Sequence, residues 1–240
     1  MQVFLRVLCW IALTTQQEFV GFVFHSNTSK KHMSDFATAK HNMIEQQIRP
    51  WEVIDPQVLG VFDVINRDQF VPESLKGLAY ADCQLPVLGT RRMLPPTVEG
   101  RMLQALNIKP SDCVLEIGTC SGYITACLAH LSTHVDSVDF NPESRVMAQA
   151  NLQQQDISNV TLDTISSIQD ITHSERYDVI AVCAGSLDHI PENLKDALVI
   201  GGRLFVVTGQ SPVKEAQLVS RVSQGEWEII NLFETDIAAI

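Results

Sequence analysis

Apolar positions follow two different patterns along the chain. Up to about residue 110 they recur at helical spacing. In residues 35–49, Phe36, Ala39, Met43, Ile44 and Ile48 share one face, and Pro50 stops the pattern. Ser34-Asp35 just ahead is a plausible N-cap. Asp55-Pro56 reads as an N-cap followed by proline at the first helical position, and Val58, Leu59, Val61, Phe62 and Ile65 then line a second helix. Residues 67–96 hold turn residues and prolines with little periodicity. They predict a long ordered loop region rather than a linker, because Phe70, Leu75, Tyr80 and Leu85 can dock on a core. Residues 97–106 are helical again.

From Cys113 onward short apolar runs alternate with helical stretches. Strands are expected at 113–118, 135–140, 160–165, 177–184 and 204–208, and helices at 122–131, 142–154 and 190–198. Runs that are apolar throughout fit parallel strands covered on both faces. The tail differs: 215–222 and 227–233 flank Ser223-Gln224-Gly225 and read as an antiparallel hairpin at the sheet edge. There is no internal repeat and no low-complexity segment. The pattern predicts one α/β domain: a mostly parallel seven-stranded sheet with helices on both faces, an antiparallel edge hairpin and a helical N-terminal cap.

The first 32 residues stand apart. Val3 to Leu13 is apolar but broken by Arg6 and too short to span a bilayer, so no membrane association is expected. It resembles the core of a signal peptide, without an A-x-A cleavage site. A secretory leader, a structured arm and an upstream extension before Met33 are the three readings. The extension is preferred, leaving 33–240 as a single domain, with 33–110 as cap and substrate loop and 111–240 as the cofactor-binding sheet.

Charge narrows the function. The 240 residues carry 28 Asp and Glu against 17 Lys and Arg, a formal net charge of −11, which disfavours general nucleic-acid binding. Cysteines 9, 83, 113, 120, 127 and 183 show no CxxC pair and no Cys/His cluster with metal spacing, so no metal is expected. A reduced, cytoplasmic protein is the expectation.

The chemistry centres on Val114-Leu-Glu116-Ile-Gly118-Thr119-Cys120-Ser-Gly122-Tyr123, a strand feeding a glycine turn that opens a helix. Glycine there permits positive φ and close backbone approach to a ligand. Seventeen residues past Gly122, Asp139 ends the second strand, where a carboxylate can accept from both hydroxyls of a ribose. Two cofactors compete. A dinucleotide site wants G-x-G-x-x-G, and the middle glycine is missing. An S-adenosyl-L-methionine site of class I methyltransferases reads E/D-x-G-x-G-x-G; Glu116, Gly118 and Gly122 match, with Cys120 at the middle glycine. Glu116 and the edge hairpin favour the latter. A cofactor-free α/β domain with packing glycines is the bland alternative. Cys120 reads either as a small side chain tolerated in the loop or as an intrusion that weakens cofactor binding. Cys183, ending the fourth strand, is expected to be a buried core thiol.

The order Arg67-Asp-Gln-Phe70-Val71-Pro72, Ala79-Tyr80-Ala-Asp82, Leu85-Pro86, Val114 to Gly118, Ser121-Gly122-Tyr123, Asp139, Asn159-Val160, Tyr177-Asp178 and Gly201-Gly202-Arg203-Leu204 resembles the protein-L-isoaspartate O-methyltransferase family over roughly residues 43–208. The resemblance implies a Rossmann-like class I methyltransferase fold, S-adenosyl-L-methionine as cofactor, and methyl transfer to a side-chain carboxylate of damaged aspartyl residues. The partner would be a protein or peptide with a free carboxylate, or a small molecule. Cofactor candidates are Glu116, Gly118, Thr119, Cys120, Gly122, Asp139 and Ser166, the last at the position where the family tends to bind the adenine amine, with Asp163 and Asp170 nearby.

The substrate loop departs from the family. Where the family usually has G-x-T-I-S-x-P-H, this chain reads Thr90-Arg91-Arg92-Met93-Leu94-Pro95-Pro96-Thr97, which puts Leu94 at the serine and Thr97 at the histidine. Asp82, Arg91, Arg92, Leu94 and Thr97 are the substrate-loop candidates. Arg91 and Arg92 either replace the lost anchor by charge pairing or stay solvated. His189 is an acceptor-side candidate, more simply read as a surface histidine. A carboxylate acceptor, with pKa ~4, needs no general base. Three functions remain open: a protein carboxyl methyltransferase of the isoaspartyl type, a same-fold enzyme with a small-molecule or RNA acceptor, and a non-catalytic cofactor-binding module. Amide and adenine N-methyltransferases usually carry [DN]-P-P-[FY] after the fourth strand; Cys183-Ala184-Gly185-Ser186 stands there instead.

Overall fold

Helices and short irregular turns make up the first part of the described chain. The computed structural model describes residues 28–240, so most of the expected leader or extension lies outside the described residues. Lys40–Ile240 form one compact unit. Helix α1 (Thr28–Asn42) runs through Ser34 and Asp35, so the N-cap expected there does not start it. Lysine and methionine are good helix formers, and Lys30, Lys31 and Met33 extend the pattern backwards. Past Asn42 the helix widens into π turns over Met43–Ile48 and tightens into a 3-10 turn over Arg49–Trp51. Pro50 is accommodated in that 3-10 turn, and Glu52 ends the run at φ 63°. Helix α2 (Pro56–Val64) starts as expected: the Asp55 carboxylate accepts from the backbone N–H of Gln57 at 2.7 Å and of Val58 at 3.4 Å.

Residues 67–96 are more structured than expected. Two 3-10 turns, Arg67–Phe70 and Glu73–Leu78, lead into a two-stranded antiparallel hairpin of β1 (Leu85–Leu88) and β2 (Arg91–Met93). Elements of three to six residues are too short to show a period. Phe70, Tyr80 and Leu85 are buried as expected, and Leu75 is half-buried. The fully buried Arg67 ties this segment to α3 (Pro96–Leu106). Its guanidinium pairs with Glu99, donates to the Leu94 carbonyl at 2.7 Å and lies 4.8 Å over the Tyr123 ring.

The sheet follows. Its strands are β3 (Cys113–Ile117), β4 (His134–Asp139), β5 (Val160–Thr164), β6 (Tyr177–Val182), β7 (Leu198–Gln210), β8 (Val213–Ser223) and β9 (Glu226–Thr235), in the order β5-β4-β3-β6-β7-β8-β9. Neighbours from β5 to β7 are parallel, and β8 and β9 are antiparallel. Leu115, Ile117, Ile180, Val182, Leu204 and Val206 form its buried centre. Helix α4 (Tyr123–Leu131) packs on β4, α5 (Pro142–Gln154) on β4 and β5, and α3 and α6 (Glu192–Asp196) on β7. Right-handed crossovers place α4 and α5 on one face and α6 on the other.

Two elements differ from expectation. The helix expected at 190–198 shrinks to Glu192–Asp196, because Pro191 caps its start and Leu198 already belongs to β7. Strand β7 begins at Leu198 opposite Tyr177, then passes through an irregularity before Arg203 pairs with Val179. The Gly201-Gly202 pair, which looks like a turn, serves this bulge. Gly201 has φ +84°, and a Cβ on Gly202 would lie 2.9 Å from the Val199 carbonyl oxygen.

The chain leaves β3 for β4 and β5, then returns to β6 on the other side of β3. The carboxyl ends of β3 and β6 therefore flank a switch point, where ligands of such folds bind. After β9 the chain returns to this end. Ser186 donates its N–H to the Ala238 carbonyl at 2.9 Å, and Ile240 donates to the Ser186 carbonyl at 3.1 Å. The Gln84 amide holds the same segment, donating to the Asp236 carbonyl and accepting from the Ala238 N–H.

Candidate functional site

The glycine turn is shaped first by the protein's own packing. Gly118 leaves β3 at φ +108°, and a Cβ there would lie 2.2 Å from the Ala184 nitrogen. Gly122 opens α4 at φ +86°, and its Cβ would meet Ala148 at 3.1 Å. Both glycines are thus required by close packing at the switch point, whether or not a ligand also approaches. Between them Cys120 holds a left-handed φ of +51°. Its N–H donates to Asp139 Oδ2 at 2.9 Å.

Asp139 is fully buried at the end of β4. Oδ1 accepts from the Asn141 N–H at 2.9 Å and faces Arg91 Nε at 3.4 Å. The Arg91 guanidinium also lies 5.5 Å over the Phe140 ring.

Glu116 lies beneath the turn rather than on its surface. It is fully buried and accepts from Thr125 Oγ1 at 2.5 Å and Ser137 Oγ at 2.6 Å, while Oε1 has no partner. The Ser137 hydroxyl also meets Thr119 Oγ1 at 2.6 Å. Burial first, and then the Asp139 charge, push the Glu116 carboxyl up to about 8, against the two hydroxyl donors.

Two cavities adjoin the turn. The smaller, about 20 Å³, is lined among others by Leu94, Glu99, Gly118, Cys120, Ser121 and Tyr123. The larger, about 160 Å³, is lined by Gln84, Arg91, Arg92, Leu94, Cys183 and Gly185 together with residues 237–240. Arg92, Leu94 and Cys183 belong to both walls, so they stand at the junction. Cys183 is buried with Sγ 3.7 Å from Met102 Sδ, and burial holds its thiol well above the ordinary range.

The substrate-loop candidates divide into two groups. Arg91, Arg92 and Leu94 face the cavities. Asp82 and Thr97 instead bond each other: Asp82 Oδ1 accepts from the Thr97 N–H at 3.2 Å and from Thr97 Oγ1 at 2.7 Å. The helix's own cap position, Pro95, has no side-chain donor or acceptor, and Asp82 supplies one from the loop.

Ser166 lies outside both cavities. It is exposed past β5, one strand over from Asp139, and its N–H donates to Asp170 Oδ2 at 2.8 Å. Asp170 is turned onto this backbone as a capping box, and Asp163 accepts from the Thr164 N–H. His189 is exposed.

Glu99 and the Ser186–Ala239 pairing do not stand out in the sequence, and Ser121 does so only within the Ser121-Gly122-Tyr123 signature. Glu99 is marked only as an acid on an apolar helical face between Val98 and Met102. Glu99 Oε1, Ser121 Oγ and Tyr123 Oη are all buried without a protein partner, and all three residues line the smaller cavity. Burial raises the Glu99 carboxyl, opposed by the adjacent Arg67 guanidinium. Among the described residues no group of three His, Cys, Asp or Glu could hold a metal ion.

Comparison with known proteins adds the lineage. The family model "Protein-L-isoaspartate(D-aspartate) O-methyltransferase" matches residues 38–236. A protein-L-isoaspartate O-methyltransferase of Petrotoga mobilis is 31% identical over 196 residues, 81% of this chain and 92% of the relative. One from Protochlamydia amoebophila is 36% identical over 180 residues, 75% and 84% of the two chains. A Plasmodium falciparum structure described as this methyltransferase in complex with S-adenosyl-L-homocysteine shares the fold at TM-score 0.69 and 17% identity, covering 85% of this chain and 97% of its own. The chain described here belongs to the protein-L-isoaspartate (D-aspartate) O-methyltransferase family.

Proposed function

We propose that this protein transfers a methyl group from S-adenosyl-L-methionine to the free carboxylate of isoaspartyl residues in proteins and peptides. One observation carries the reading within the family: Asp139 at the end of β4 bonds the Cys120 N–H of the glycine turn, at the switch point of the sheet. The residues present suit the cofactor. Three unpartnered polar groups, Glu99 Oε1, Ser121 Oγ and Tyr123 Oη, line the cavity beside the turn, and the amino-acid end of the cofactor carries the ammonium and carboxylate to meet them.

When bound, S-adenosyl-L-methionine supplies a methyl group already activated on a sulfonium. Asp139 has lone pairs left for ribose hydroxyls, and Phe140 offers a ring face to the adenine, with Ser166 one strand further on. Gly118 to Gly122 hold the backbone of the turn against the cofactor, and Glu116 supports it from below through Thr125 and Ser137. Leu94 and Cys183 form an apolar wall at the junction and keep water from the transfer point. Transfer of that methyl group to an acceptor carboxylate would need no proton to move. No base is required, because a carboxylate of pKa ~4 is ionised at neutral pH. Alignment is what the site contributes.

A second reading, a same-fold enzyme with a small-molecule or RNA acceptor, is favoured by Leu94, which has no hydroxyl to offer an acceptor. Tritiated methyl transfer to an isoaspartyl peptide decides between them. Transfer is expected. Its absence with intact S-adenosyl-L-homocysteine binding discards the repair reading, and absence of cofactor binding leaves only a non-catalytic module. We further infer a cytoplasmic location and a single methyltransferase domain over 33–240. Cysteines 113, 120, 127 and 183 are free thiols, which supports a reducing compartment. No helix among the described residues is long and apolar enough to cross a membrane.

A further inference from the structure

Arg91 stands on both halves of the site. Its Nε is 3.4 Å from Asp139 Oδ1 and its guanidinium covers Phe140, so it occupies the two groups assigned above to the nucleoside. Asp139 is fully buried. A nucleoside therefore needs Arg91 to leave. Its destination is beside it: Arg91 also lines the larger cavity, whose walls carry no aspartate or glutamate side chain. A guanidinium withdrawn from water needs an anion, which an acceptor carboxylate can supply there. Leu94 at the junction has no hydroxyl for an acceptor carboxylate, whereas a guanidinium binds a carboxylate with two parallel hydrogen bonds.

Leu85, Val87 and Met93 anchor the hairpin in the core, while its turn beside Arg91 is loosely packed. Strands β1 and β2 pair over only three positions with a register shift, and nothing lies within 4 Å of a Cβ placed on Gly89 at the turn.

We propose that Arg91 is the positioning residue for the acceptor carboxylate, held on Asp139 until the ribose of the cofactor takes that carboxylate. This rests on the methyltransferase reading above and adds an order to it. Cofactor binds first, Arg91 is released into the larger cavity, and the acceptor's charge is then recognised there.

Two variants test it: Arg91→Met removes the charge and keeps the stem, and Arg91→Lys keeps the charge without the fork. In titration calorimetry on the ligand-free protein, R91M is expected to bind S-adenosyl-L-homocysteine about fivefold tighter than wild type, with R91K between them. With S-adenosyl-L-homocysteine saturating, R91M is expected to bind an isoaspartyl peptide about tenfold or more weakly by fluorescence anisotropy. R91K should lose less. The peptide with the same side chain as a neutral amide should bind wild type and R91M alike. In turnover, KM for the isoaspartyl peptide rises while kcat stays within about threefold. R91K carries the test if R91M folds poorly.

Weaker or unchanged S-adenosyl-L-homocysteine binding in R91M overturns the exchange. Equal losses for the charged and neutral peptides reduce Arg91 to a structural part and overturn the anchor. Wild type that methylates the peptide while R91M binds it equally well overturns the anchor alone. Wild type that binds S-adenosyl-L-homocysteine yet takes up no isoaspartyl peptide overturns the repair reading and the anchor with it.

Discussion

Cys120 occupies a backbone position that suits glycine. Its φ of +51° places the Cβ against the following carbonyl, at a cost of roughly 1–2 kcal/mol for a residue with a side chain. Glycine would remove that strain but lose more chain entropy on folding. Cys120→Gly is therefore expected to stabilise the ligand-free protein by about 0.5–1 kcal/mol, read as a higher melting temperature. Unchanged or reduced stability would show that packing of the half-buried thiol outweighs the backbone strain. Glu116 makes a second prediction. Its carboxyl titrates at about 8 when folded, above its ordinary value of 4.5. The folded state then holds the proton more tightly than the unfolded chain. The stability this contributes is complete below pH 4.5 and is lost as pH rises toward 8. The loss runs at up to about 1.4 kcal/mol per pH unit. Glu116→Gln keeps the shape and cannot ionise, so its melting temperature relative to wild type should climb steadily between pH 5 and pH 8. A constant difference across that window would mean that Glu116 is ionised in the folded protein.

The element that couples loop to helix is the Asp82–Thr97 bond. Helix α3 opens behind Pro95 and Pro96, so its first free N–H is satisfied from Asp82, fifteen residues upstream. Asp82→Ala should cost about 1 kcal/mol of stability, the usual loss for a removed cap. The variant should bind S-adenosyl-L-homocysteine with unchanged affinity, because Asp82 lines neither cavity. Tenfold weaker cofactor binding would return Asp82 to the site. This contact also shows where sequence reading stops. Strands β3, β6 and β7 were legible because each carries an apolar run, β4 and β5 because apolar residues alternate with polar ones, and Asp139 was legible because a strand end is a defined place. The hairpin bearing Arg91 was not, since three or four residues cannot display a period and its pairing is irregular at Pro86. Arg67 with Glu99, and Gln84 with residues 236–238, lie 32 and about 150 positions apart, and only the folded chain brings them together. The glycine turn was read correctly in place and incompletely in cause: Gly118 is demanded by Ala184 as much as by any cofactor.

At the scale of the molecule, charge and site oppose each other. The chain carries a formal −11, yet Arg91 and Arg92 line the larger cavity, whose walls carry no aspartate or glutamate side chain. An acceptor carboxylate is drawn to those two guanidinium groups over a few ångströms, while the rest of its peptide travels through a repulsive field if it is acidic and an attractive one if it is basic. Damaged aspartyl sites would therefore be selected by their neighbours as well as by the damage. Isoaspartyl peptides flanked by lysine should show KM several-fold lower than the same peptides flanked by glutamate when assayed near 10 mM salt, where the screening length is about 30 Å. In 1 M salt the length falls to about 3 Å, and the two KM values should converge. The value of kcat should differ little between the peptides, since flanking charges sit outside the junction where the methyl group moves. A preference for glutamate flanks, or a ratio that salt does not change, would place the discrimination in direct side-chain contacts rather than in the field of the whole protein.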